Sequence, residues 1–110
     1  MELKEFWEYF GFTHNTTIEY DFAGSYTQQW WTNPNRVHLY TLPEPDLNNL
    51  DKYCFPKLIE MGYEFNIYYF QDLKEWQTDI QHISSLKPVT GKGDTEKEAL
   101  YNAIVGVING

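Results

Sequence analysis

The chain has 110 residues, the size of one ordinary domain, with 16 acidic residues against 8 basic ones, a net charge of −8 and an aromatic share of 18%. That balance excludes a surface built to neutralise phosphates, which needs clustered Lys and Arg, and works against contact with anionic membranes. The 42% hydrophobic fraction is enough for a core without disulfides or a metal, so a single globular domain spanning 1–110 is expected, with no direct nucleic-acid or membrane partner.

Taken in chain order, Leu3, Phe6, Trp7 and Phe10 fall at helical spacing with Glu2, Glu5 and Glu8 off the stripe, and Gly11 stops the helix. In "TIEYDF", Ile18, Tyr20 and Phe22 alternate with Glu19 and Asp21, which reads as a strand with one wet face. After the turn "AGS", Tyr26 to Thr32 forms a second strand, "NPN" turns the chain, and Val37 to Tyr40 returns as a third. "LPEPD" ends this pattern, and Asp46 caps a helix whose apolar side is Leu47, Leu50, Cys54 and Leu58. Pro56 lies inside it. The helix is expected to end near Cys54 or Phe55 and restart with Pro56 in its first turn, with Phe55 pushed out of the α region. Gly62 closes that stretch. "YEFNIYYF" and "EWQTDIQHI" read as a hairpin, "KPVTGKGD" as a loop, and Thr95 with Glu98 as a capping box for a last helix on Leu100, Ile104, Val107 and Ile108. Clustered strands with short turns imply an α+β protein on a mainly antiparallel sheet of four to five strands, with about three helices.

Cys54 is the only cysteine, which excludes an internal disulfide and fits a reducing compartment. The opening "MELKEFWEYF" lacks the apolar core of a secretion signal, and the longest clean apolar run is Ala103 to Val105. A cytoplasmic location, in a host cell on the resemblance below, is the expectation.

Adjacent residues of a strand point to opposite faces, so Trp30 and Trp31 load both faces of the second strand, as Tyr68, Tyr69 and Phe70 load both faces of another. A helix–sheet–helix sandwich buries both sets most simply, and it predicts that both tryptophans are largely buried. An interface or a ligand platform are the competing accounts.

The segment "WWTNPNRVHLYTLPEPDLNNLDKYCFPKL" with the closing "DTEKEALYNAIVGVING" resembles small bacteriophage and prophage proteins of the phage ABA-sandwich type. Those carry an early W/YWxxP segment, a "PDLNNL…Y..PKL" helix and a final acidic helix. The resemblance implies three layers, α/β/α, and no active site.

Catalytic chemistry is not evident. His14, His38 and His82 are far apart with no metal-ligand spacing; His38, His82 and Asp79 would come together only if their strands paired. Cys54 on an apolar stripe reads as an inert thiol, Ser84-Ser85 has no nucleophile elbow, and "TGKGD" lacks the spacing of a phosphate loop. No catalytic residue, cofactor or metal is expected. The leading expectation is a non-enzymatic phage or prophage accessory or interaction domain whose partner is an unknown protein or a second copy. The alternatives are an acidic inhibitor of a host defence or nucleic-acid-binding protein, and a small-molecule binder using strand aromatics. Trp31, Arg36, His38, Tyr40 and Tyr68 are the candidate contact residues.

Overall fold

The computed structural model describes all 110 residues and divides into two compact units, Met1–Pro43 and Glu44–Gly110. The protein is α+β with mainly antiparallel strands. In place of one sheet of four to five strands there are two three-stranded antiparallel sheets. No helix is long and apolar enough to cross a membrane.

The first unit begins with α1 (Leu3–Tyr9). Most of its apolar stripe is used as its spacing requires: Phe6 and Trp7 are fully buried and Phe10 nearly so, as is Phe12 beyond the helix, whereas Leu3 at the helix start is exposed. Gly11, at φ +92°, takes the left-handed turn that ends the helix. The Gly11 N–H donates to the Glu8 carbonyl and the Phe12 N–H to the Trp7 carbonyl, the paired bonds of a Schellman cap. The apolar contact that accompanies such a cap is here Phe12 against Trp7, ring centroids 5.0 Å apart. The Trp7 indole N–H donates to the Pro43 carbonyl at 2.8 Å, which fastens the end of the unit to its start.

Three strands follow: β1 (Thr13–Asp21), β2 (Gly24–Thr32) and the short β3 (His38–Leu39), in that spatial order. β1 and β2 form a long hairpin in which Asp21 opposes Gly24 and Phe22-Ala23 make the turn. The Asp21 carboxylate accepts from the Ala23 N–H at 2.8 Å. Between β2 and β3, the Asn33 side-chain oxygen accepts from the N–H groups of Asn35 and Val37, both at 2.9 Å. This fixes the turn in which Arg36 adopts φ +64°.

The expected dry face of the first strand is not dry. Ile18, Tyr20 and Phe22 alternate as read, yet they are 57%, 80% and 113% exposed. Trp30 and Trp31 do point to opposite faces, but each is only half-buried, so neither face is sealed. Tyr68, Tyr69 and Phe70 of the other unit are likewise exposed. Alternation fixes which side chains share a face; it does not supply a covering layer.

The second unit opens with a helical stretch in three parts: α2 (Leu47–Asn49), a π-helical turn (Leu50–Cys54) and α3 (Phe55–Glu60). Asp46 caps it as expected, its carboxylate accepting from the Asn49 N–H at 2.9 Å. The proline problem is solved differently from the expected break. Phe55 remains in the α region, and its N–H bonds to the Leu50 carbonyl, five residues back. The wider π turn shifts the ladder by one residue, so Pro56 falls at the start of α3, where a missing N–H costs least. Pro56→Ala is therefore expected to change stability by less than about 1 kcal/mol in denaturant unfolding; a larger gain would reveal strain at the proline.

Strands β4 (Tyr63–Phe70), β5 (Glu75–His82) and β6 (Val89–Gly93) form the second sheet, and α4 (Glu96–Asn109) closes the chain. The segment read as a loop, "KPVTGKGD", contains β6. Its glycines are there because α4 lies almost on the strand: a Cβ at Gly91 would run into the backbone of Ala99 and Ala103. The face carrying Thr78, Ile80, Val89 and Gly91 packs on α4, and Phe65 on the same face meets Phe55 of α3 at 4.5 Å. Leu50, Cys54, Leu58, Ile80, Ala99, Leu100, Ala103 and Ile104 form the buried core of this unit. The opposite face mixes polar side chains with the exposed rings of Tyr68 and Phe70; on it Asp79 accepts from the Thr90 hydroxyl at 2.8 Å and from the Gln77 amide at 3.1 Å. Thr95 caps α4 through the Glu98 N–H. In return the Glu98 carboxylate accepts from the Asp94 N–H, one residue before the usual donor.

Candidate functional site

The β1–β2 register places Asn15 opposite Trp30, Thr17 opposite Gln28 and Glu19 opposite Tyr26 on one face of the first sheet. β3 adds His38, opposite Thr32, to the same face, and Tyr40 follows two residues on. Thr17, Glu19, Gln28, Trp30, His38 and Tyr40 line an open cleft of about 360 Å³ there. The size suits a side chain or a small ligand. The Trp30 and His38 rings lie 5.4 Å apart at 46°, so the imidazole braces the indole at one end. Glu19 stands at the other end, exposed and outside any ion pair, whereas Lys4 on α1 pairs with Glu8.

The candidate contact residues are therefore divided. His38 and Tyr40 line the cleft. Trp31 is on the reverse face, where its ring meets His14 at 4.7 Å. Arg36 belongs to the turn between β2 and β3, and Tyr68 lies in the other unit on β4. In the sequence Trp30 stands out only as one of the two adjacent strand tryptophans and not among the candidate contacts, and Thr17, Glu19 and Gln28 carry no signal of their own. The signal lay in parity: once Thr32 opposes His38, residues 28, 30 and 32 share a face with 38, and Trp31 does not.

Elsewhere the arrangement argues against the obvious chemistries. His38 and His82 lie in different sheets, and Asp79 alternates to the face of β5 opposite His82. No group of three or more His, Cys, Asp or Glu residues is disposed to hold a metal. Ser84 Oγ lies 2.6 Å from His82 Nδ1, and His82 Nε2 is 3.0 Å from the Met61 carbonyl. On distance alone this resembles a nucleophile with an oriented base. However, Nδ1 also accepts the Ser84 backbone N–H at 3.1 Å, and the pair is two residues apart at a strand end. The bonds serve as a turn lock that joins β5 to the end of α3.

Cys54 is fully buried in the core, and desolvation pushes its thiol well above the ordinary cysteine range. The reactive thiolate is thereby suppressed. Native protein at mildly alkaline pH should leave Cys54 unmodified by a disulfide reagent, while the same reagent titrates one thiol after unfolding in guanidinium chloride. Rapid native labelling would contradict the packing of the π turn.

Comparison with family models, with curated proteins and with solved structures finds no match to this chain. The reading of the site rests on its own geometry.

Proposed function

We propose that the chain is a non-enzymatic protein-interaction domain of the phage or prophage accessory kind, which uses the first sheet and its β1–β2 hairpin as the contact surface. The observation that carries this reading is the exposure of Ile18, Tyr20, Phe22 and Tyr26 on one hairpin, at 57%, 80%, 113% and 52%. Large apolar side chains gathered at an exposed element are a usual mark of an association surface. The phage affiliation is supported by the motif resemblance between Trp30 and Leu58 and in the closing helix. The three-layer α/β/α order, with the chain's own helices as the outer layers, is what the resemblance adds to the same proposal, and a bound partner would cover the faces of the first sheet that the free chain leaves open.

A photo-cross-linking amino acid in place of Phe22, expressed in bacterial cells, tests this. The expected result is a discrete protein adduct from position 22 and none from the equally exposed Leu86, a control outside the surface. Indistinguishable, diffuse labelling from both positions would remove the basis for the proposal. A second reading, a small-molecule binder, is favoured by the cleft around Trp30.

A further inference from the structure

We infer that the cleft on the first sheet is a receptor for an arginine side chain presented by a partner protein; this rests on the interaction reading above and names the chemistry it recognises. Three observations converge. First, Glu19 is the only carboxylate among the lining residues, and no Lys or Arg is among them. Within residues 1–43 the only Lys and Arg are Lys4, already paired with Glu8, and Arg36 in the turn, against Glu2, Glu5, Glu8, Glu19 and Asp21. The cleft therefore has a negative charge with no counter-charge of its own. Second, the far end is aromatic: Trp30, steadied by His38, with Tyr40 beside it. An indole face accepts the apolar stem of a long cationic side chain, and a planar guanidinium fork at the end of that stem matches a carboxylate better than a compact ammonium does. Third, Glu19 opposes Tyr26, four residues from Trp30 along β2, or about 13 Å of strand. A long, thin side chain lying over Thr17 and Gln28 can touch the aromatic end with its stem and offer its fork to the carboxylate.

A neutral polyol fits less well. It would gain the stacking surface but would strip water from Glu19 and return no charge. The chain's overall charge of −8 adds long-range attraction for a basic partner, which raises the rate of encounter.

The test uses the full chain and three blocked amino acids: the N-acetyl methylamides of arginine, of citrulline, which has the same shape without the charge, and of lysine. Binding is followed by nuclear magnetic resonance at low salt, through the Trp30 indole N–H and the backbone N–H groups of Thr17 and Gln28. The arginine compound is expected to move all three signals saturably and the citrulline compound to bind at least about fivefold more weakly. The lysine compound should fall between them. Glu19→Gln, at an exposed position that leaves the fold intact, should weaken arginine by about the same factor, and added salt should do likewise. Equal binding of citrulline, equal binding of lysine, or indifference to Glu19→Gln each overturns the assignment. So does the absence of any saturable shift. If the arginine compound fails while position 22 still cross-links a defined protein, the cleft assignment falls and the interaction reading stands. If the reverse holds, the cleft binds arginine and the hairpin is not the contact surface.

Discussion

Gly91→Ala is expected to cost about 3 kcal/mol, an outsized loss for the addition of one methyl group. Gly91 lies in the middle of β6 and has no unusual φ, so conformational freedom is not the reason for glycine here. The reason is space. A Cβ at this position lands on the Ala99 carbonyl and the Ala103 amide of α4, and lies 2.7 Å from Ala103 Cα. These are backbone atoms of a helix and cannot rotate aside. Either the helix lifts from the sheet or the strand bends away. Each route opens gaps around Leu100 and Ile104, which the native packing leaves 2% and 0% exposed. Gly24→Ala is the informative contrast. Nothing lies within 4 Å of its Cβ, but its φ of +127° suits only glycine, so it should cost about 1 kcal/mol from backbone strain alone. Urea unfolding followed by circular dichroism separates the two. A loss at Gly91 no greater than that at Gly24 would mean that α4 does not sit on β6 as described.

Trp7→Ala is expected to cost about 3–5 kcal/mol, comparable with the whole stability margin of a small domain. Trp7 is fully buried and meets Phe6 at 4.9 Å, Phe12 at 5.0 Å and Phe10 at 6.5 Å. The first unit has little else to hold its helix, since its strands are largely exposed. Trp7→Phe keeps most of the ring surface and removes the indole bond to the Pro43 carbonyl. It should cost far less than alanine, with about 1 kcal/mol coming from the lost bond. If alanine and phenylalanine were equally damaging, the bond rather than the ring cluster would be the dominant contribution.

These two positions also show what the sequence makes legible. The stripe Phe6, Trp7, Phe10 and the stop at Gly11 follow from local periodicity and turn chemistry, and so do the caps at Asp46 and Thr95. Each is settled within one helical turn. Gly91 and Gly93 read as loop residues because the demand for glycine comes from α4 rather than from their neighbours in the chain. The π turn before Pro56 was hidden for a related reason. A helix can absorb a proline by changing its hydrogen-bond step as well as by breaking, and here the π turn keeps both Leu50 and Cys54, at its two ends, fully buried. The strand aromatics were the largest departure. Their alternation was read correctly, but the inference that both faces must be covered assumed that a monomer buries what it could bury. The site depended on pairing register, which separates Trp30 from Trp31 and brings Glu19 and Gln28 to the Trp30 side.

The most direct test of the central claim, that the first sheet presents an open aromatic face, is the solvent exposure of each tryptophan in dilute monomeric protein. Labelling with 5-fluorotryptophan gives one fluorine resonance per indole, and single Trp→Phe variants assign all four. The shift of each resonance between light and heavy water reports contact with solvent. Trp7 should show essentially none, whereas Trp30 and Trp31 should each show a clear intermediate shift. A Trp30 resonance as insensitive to heavy water as that of Trp7 would mean that this face is sealed in the free protein, and the cleft built on it would have to be abandoned.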